Sequence, residues 1–222
     1  MKKRGFSLFL FLIFSSTLLT GQEIVTAERY LEMVSNTYAA LRDYEANIEI
    51  RSGGTNMSGT VSHLAPSLLR MDFTRPAEQV IVFNGDALTI YLPEFRAVLN
   101  QPLAAQRAPA TAQGLSMLRR NYVASYLTGP NPEPLDSGSS ERVIKLRLTR
   151  RSVSEGYREI ILSINPTTRL IRRMEGRTIA DSEIRFDFTN IRTNQGIPRE
   201  RFAYDSPPNA NMYNNFLFRD TD

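Results

Sequence analysis

Past the first two dozen residues, the chain alternates between two hydrophobic periods. In "TAERYLEMVSNTYAALRDY", Tyr30, Leu31, Val34, Tyr38 and Leu41 recur at three- and four-residue intervals, giving one apolar stripe, with Thr26 placed to cap its start. The spacing predicts a helix over residues 27–42. The period then switches to two: in "YEANIEIR", Tyr44, Ala46, Ile48 and Ile50 oppose Glu45, Asn47, Glu49 and Arg51. A turn at "SGG" and a weaker strand, "MSGTVSHL", follow. After the break at Ala65-Pro66 comes "SLLRMDFT", with Leu69, Met71 and Phe73 on one face and Arg70 and Asp72 on the other. Pro76 ends that strand.

"EQVIVFNGDALTIYL" is the strongest hairpin signal, because Asn-Gly accepts the positive φ angles a tight turn demands. Around this turn both strand faces are apolar, and Ile81 and Phe83 fall on the same face as Leu88 and Ile90. A further strand, "FRAVLN", follows Pro93. From Gln101 to Gly114 the pattern dissolves into Ala, Pro and Gln. Leu115, Leu118, Tyr122 and Tyr126 then predict a second amphipathic helix ending near Gly129, and "GPNPEPLDSGSS" reads as an exposed loop. The last third is strands again: Ile144, Leu146 and Leu148 alternate with Lys145, Arg147 and Thr149. A hairpin turns at "NPTT", Ile184, Phe186 and Phe188 alternate with Arg185 and Asp187, and "FAYDSPP" closes the pattern. Nine to eleven strands, two main helices and no βαβ rhythm predict a mainly β fold: an unclosed antiparallel barrel, or half-barrel, with helices over the opening.

The N-terminus changes the charge balance. Lys2, Lys3 and Arg4 precede "FSLFLFLIF" and "SSTLLTG", the pattern of a secretory signal peptide, with cleavage after Gly21 or as late as Ala27. The unbroken apolar run is too short for a spanning helix, which needs about 20 residues. The full chain carries 27 basic and 23 acidic residues, a net +4. Three of the basic residues lie in the signal, so cleavage after Gly21 leaves 24 − 23 = +1. A near-neutral surface offers no electrostatic footprint for nucleic acid. The sequence holds no cysteine, hence no disulfide and no residue for lipid anchoring, and residues 22–222 are expected to form one soluble, exported, monomeric domain.

Chemistry is excluded as much as suggested. With a single histidine, His63, and no cysteine, neither a multi-histidine metal site nor a thiol nucleophile can be built, and no cofactor motif occurs. His63 itself is expected to face solvent. Carboxylates such as Asp72 with Glu78 could form a hydrolytic pair, but Asp72 alternates outward, and no enzymatic activity is expected. What remains is apolar surface. Leu69, Met71, Phe73, Ile81, Phe83, Leu88 and Ile90 either fill a sealed core or line a cavity, and a large curved sheet under few helices leaves room for the second.

The run "GTVSHLAPSLLRMDFTRPAEQVIVFNGDALTIYLPEFRAV", residues 59–98, resembles the signature region of LolA-type periplasmic lipoprotein carriers. Gly59, Pro66, Thr74, Pro76, Gly85, Tyr91 and Pro93 fall in that family's register, and "FAYDSPPNA" is similar to its closing segment. The resemblance implies a half-barrel with an α-helical lid (Leu115, Leu118, Tyr122 and Tyr126) over an apolar interior that takes up acyl chains of lipoproteins. It implies cargo received from an inner-membrane lipoprotein-releasing transporter and passed through the periplasm to an outer-membrane acceptor. By position, Leu69, Met71, Phe73 and Ile81 match interior sites. The family's arginine before the strand-ending proline, which helps hold the lid, corresponds here to Ala65. The alternative is a binding protein for another lipid, or a sensor of mislocalised lipoproteins or envelope stress, on the same fold. Such sensors carry a further C-terminal domain, whereas this chain ends soon after "NNFLFRD".

Overall fold

A computed structural model describes residues 25–102 and 112–216. The predicted signal segment, most of the Ala/Pro/Gln stretch and the final residues lie outside these. Helix α1 (Ala27–Ala40) starts where predicted: the Thr26 side chain accepts a hydrogen bond from the Arg29 amide at 3.2 Å. Tyr30, Leu31 and Val34 are buried along its stripe.

Thirteen strands follow among the described residues. They are β1 (Asp43–Ser52), β2 (Thr55–Leu64), β3 (Leu68–Arg75), β4 (Val80–Phe83), β5 (Ala87–Leu92), β6 (Ala97–Pro102), β7 (Tyr122–Tyr126) and β8 (Glu133–Pro134), then β9 (Arg142–Arg150), β10 (Tyr157–Ile164), β11 (Ile171–Thr178), β12 (Glu183–Thr193) and β13 (Asn211–Asn214). Helix α2 (Ala112–Asn121) sits between β6 and β7. One curved sheet runs β13-β6-β5-β4-β3-β2-β1-β12-β11-β10-β9-β7, with β8 paired beside β9. Its ends, β13 and β7, do not pair, so the barrel is open. Every pairing is antiparallel except that of β13 with β6.

The registers follow from local chemistry. In the Asn-Gly hairpin, Ile81 faces Ile90 and Phe83 faces Leu88, so the predicted face-sharing holds. The Asn84 Oδ1 accepts from the Asp86 and Ala87 amides, both at 3.0 Å, and Gly85 alone takes the positive φ, 103°. Gly59 lies at a register shift between β2 and β3. A Cβ built on it would sit 2.1 Å from the Asp72 carbonyl oxygen, so no side chain fits there.

Two expectations are corrected. The second helix ends at Asn121, and the segment from Tyr122 to Tyr126 is strand β7, paired with β9 from Arg150 to Leu146. The apolar spacing read as one helix is therefore a helical turn followed by an alternating strand, whose buried Tyr122 precedes an exposed Val123. His63 is not solvent-facing. It is 4 % exposed on the concave face of β2, in the register row Tyr44–His63–Leu69–Phe83–Leu88. The 129–140 loop is mostly exposed, as expected, but it buries Leu135 and uses Asp136 to hold Arg173 of β11 through two hydrogen bonds of 2.7 and 2.9 Å.

Candidate functional site

The buried apolar side chains do not form one core. One cluster joins Tyr30, Leu31 and Val34 of α1 and Leu115 of α2 to Tyr122, Leu146, Leu148, Leu162 and Ile164. The other joins Ala46, Ile48, Ile50, Val61, Leu69, Phe73 and Phe83 on β1 to β4. Domains of this size ordinarily show one contiguous core. Here a cavity of about 530 Å³ lies under α2, lined by Leu115, Tyr122, Ile160 and Leu162 of the first cluster and Ala46, Ile48, Val61 and Leu69 of the second. Strands β11 and β12 add Ile171, Met174, Phe186, Phe188 and Ile191. That volume falls in the range of small-molecule sites, about 300–1,000 Å³.

Of the residues singled out in the sequence, Leu69 and Met71 line the cavity, as do Leu115, Leu118 and Tyr122. Phe73 and Phe83 are 5 % and 2 % exposed and sealed in the second cluster, with Ile81 and Leu88 packed against it. Ile90 is half-buried opposite Ile81. Tyr126 packs on the first cluster, its ring 6.3 Å from that of Tyr30, and its hydroxyl donates to the Val25 carbonyl at 2.8 Å. Sequence reasoning placed Ala46, Ile48, Phe186 and Phe188 on alternating faces without assigning them to the site. Their signal was there, since both sets alternate with charged or polar residues. What was missing was the pairing of β1 with β12, at 140 residues' separation, which sets Ile48 opposite Phe188.

The cavity wall is nearly all carbon, with phenols at intervals. Tyr38 and Tyr44 meet edge-on at 6.0 Å, and the Tyr38 hydroxyl accepts from the Ile171 amide at 3.0 Å. Burial pushes the Tyr38 phenol up to about 12 and raises that of Tyr44 further, so neither ionises near neutrality. Helix α2 is tied to α1 through Arg119 and Glu32, 3.4 Å apart and both partly exposed. The turn before β3, where Ala65 stands, holds by backbone: the Ala65 amide donates to the Arg42 carbonyl at 2.8 Å.

On the convex face, Asp72 joins β3 to the C-terminal segment. Arg70 and Arg201 both donate to its carboxylate, and the Arg70 guanidinium also donates to the Arg201 and Ala203 carbonyls at 3.1 and 3.0 Å. Burial alone would raise the Asp72 carboxyl, but the two arginines bring it below its ordinary value. A carboxylate so engaged is structural. Among the described residues no group of three or more His, Asp or Glu could hold a metal ion, and no helix is long and apolar enough to cross a membrane.

Residues 51–205 match the family model for the outer membrane lipoprotein carrier protein LolA. The chain belongs to the LolA family. It is 21% identical over 187 residues to the outer-membrane lipoprotein carrier protein of Dechloromonas aromatica, covering 82% of this chain and 84% of that one. The fold is similar to that of an uncharacterized conserved protein from Thermus thermophilus (TM-score 0.57, 14% identity, 85% of this chain and 98% of the other). It is also similar to that in the Pseudomonas aeruginosa MucA/MucB complex (TM-score 0.52, 16% identity, 81% of this chain), where it spans 61% of the matched chain. The matched span takes in β2 to β12 and only the last two residues of β1, so the LolA-family portion contains most of the cavity wall.

Proposed function

We propose that this LolA-family protein is a non-enzymatic periplasmic carrier that shields the acyl chains of lipoproteins between the inner and outer membranes. One observation carries this reading: the core is divided around a carbon-lined hollow rather than closed. Leaving such a space empty forfeits dispersion contacts on every wall, a cost that a stable fold avoids unless a guest fills it.

The energetics fit the task. Exposing an acyl chain to water costs about 0.8 kcal/mol per methylene, so a chain of about fifteen costs on the order of 12 kcal/mol. An acylated protein therefore crosses water only when sheltered. Met71, Met117 and Met174 give the wall unbranched, polarizable side chains that adapt to chains of differing length. Hand-over from a releasing transporter to an outer-membrane acceptor needs no nucleotide on the carrier itself.

Mass spectrometry of the protein purified from periplasm without detergent tests the reading directly. Co-eluting acylated polypeptide is the expected result. Protein that is free of any acyl compound, and that fails to release lipoprotein from inner-membrane vesicles, would sink it.

A further inference from the structure

The cavity has a polar pole. Of the described residues that line it, Glu155 alone carries a charge, and Asn121 is the one amide side chain. Glu155 lies in the turn between β9 and β10, and Asn121 ends α2, so both stand at the rim where helix and sheet part. Glu155 is half-buried as a residue and, among the described residues, its carboxylate takes no hydrogen bond and no ion pair. The arginines that flank it in the chain have other partners. Arg150 donates to the Val153 carbonyl at 3.4 Å, Arg151 donates to the Tyr122 carbonyl at 3.2 Å and forms an ion pair with Glu28 at 3.6 Å, and Arg158 pairs with Asp181. The Glu155 charge is felt at the Tyr122 phenol, which burial first and that charge second raise above its ordinary value.

From this geometry we infer that the cavity selects acyl compounds bearing a protonated primary amine beside their chains, with Glu155 receiving the ammonium at the rim. The inference rests on the carrier reading above and adds the head-group chemistry to it. A carboxylate at the edge of an apolar wall with no protein partner is open to a cation brought in with the ligand. A charge-assisted hydrogen bond is about twice as strong as a neutral one, and Asn121 can accept from a second N–H of the same ammonium. Two sources offer that chemistry: the free amino terminus of a diacylated lipopeptide and the ethanolamine head group of a phospholipid.

The experiment loads the exported protein from vesicles containing equal amounts of phosphatidylethanolamine, phosphatidylcholine and phosphatidylglycerol with the same acyl chains. In parallel it offers a diacylated lipopeptide with a free amino terminus against its N-acetylated form. Retained compound is counted by mass spectrometry after the vesicles are removed. We expect the primary amine to be retained about tenfold over its counterpart in at least one arm. The arm that shows the preference identifies the source. Glu155→Gln should bring the ratio toward one. Equal retention in both arms, or a preference that survives Glu155→Gln, overturns this inference and leaves the carrier reading intact. No retention of any acyl compound overturns both.

Discussion

The imidazole of His63 stacks on the ring of Tyr44, centroids 5.0 Å apart and planes 19° from parallel, on neighbouring strands of the concave face. Neither ring nitrogen of His63 has a hydrogen-bond partner among the described residues. Burial pushes the imidazole down to about 4, against a smaller upward pull from Asp43, whose carboxylate accepts from the Gln195 and Gly196 amides. The fold therefore holds this histidine neutral, while the unfolded chain binds a proton near pH 6.5. The unfolded state binds more protons through that interval, so the stability is fully present above about pH 6.5 and is lost as pH falls toward 4. The loss amounts to about 3 kcal/mol. Urea melts of the protein and His63→Phe at pH 7 and pH 4.5 check this: the substitution should flatten the dependence across that window.

A second acid-linked contact sits on the convex face. Arg173 and Asp187 are 5 % and 7 % exposed, with Nε and carboxylate oxygen 2.6 Å apart, and Arg185 adds a hydrogen bond of 2.6 Å to the same carboxylate. Burial alone would raise the Asp187 carboxyl, but Arg185 and Arg173 bring it below its ordinary value. Asp187→Asn leaves a buried guanidinium short of its counter-charge and should cost about 3–5 kcal/mol in chemical denaturation. Asp136, which holds the same Arg173 from an exposed loop, is the control. Its replacement by Asn should cost far less, since solvent screens that partner.

Gly59 explains why one position in the sequence pattern is a glycine. A Cβ there meets the backbone of Asp72 and Phe73 at 2.1 to 2.9 Å, and backbone on a paired strand cannot step aside as a flexible side chain does. Gly59→Ala should destabilise by at least about 2 kcal/mol, read as a lowered melting temperature with β-sheet circular dichroism otherwise retained at low temperature.

How far the fold was legible follows from how local each signal is. The cap at Thr26, the Asn84-Gly85 turn and the alternation of Ile144, Leu146 and Leu148 each depend on a few consecutive residues, and all three hold. The helix-to-strand switch at Tyr122 was missed because Leu115, Leu118, Tyr122 and Tyr126 satisfy helical spacing, while what makes 122–126 a strand is pairing with β9 some twenty residues on. His63 was misjudged for the same reason. Its burial comes from the flanking Tyr44 and Leu69, which only the register of three strands brings beside it. The cavity was half legible. Leu69 and Met71 belong to it, but whether Phe83 lines a hollow or plugs a core depends on the height of the helix above the sheet, and no short-range pattern encodes that.

The contact between Arg119 and Glu32 joins α2 to α1. The pair is 37 % and 32 % exposed, and such pairs contribute about 0–1 kcal/mol. On the proposed carrier role, a weak tie suits a helix that opens to release cargo. Arg119→Ala should leave the melting temperature nearly unchanged and speed the loss of a bound fluorescent fatty acid by up to about fivefold, measured by stopped-flow dilution into acceptor vesicles.

Filling the hollow separates a binding cavity from a core. Ala46 is 2 % exposed and faces the space from the floor of β1, beside Ile48. Ala46→Leu adds three carbons where no atom stands, so the usual penalty of overpacking should not arise, and stability should change by less than about 1 kcal/mol or rise. Acyl binding should fall in proportion to the lost volume, and Ala46→Leu with Ile48→Phe should abolish it. Phe83 gives the contrast. It is sealed in the second cluster outside the cavity lining, so Phe83→Ala should cost about 3–5 kcal/mol while the folded fraction still binds. Thermal melts beside a fatty-acid displacement assay read both quantities. If the Ala46 and Ile48 substitutions unfold the protein as Phe83→Ala does, the space beneath α2 is a tightly packed core, and no guest can occupy it.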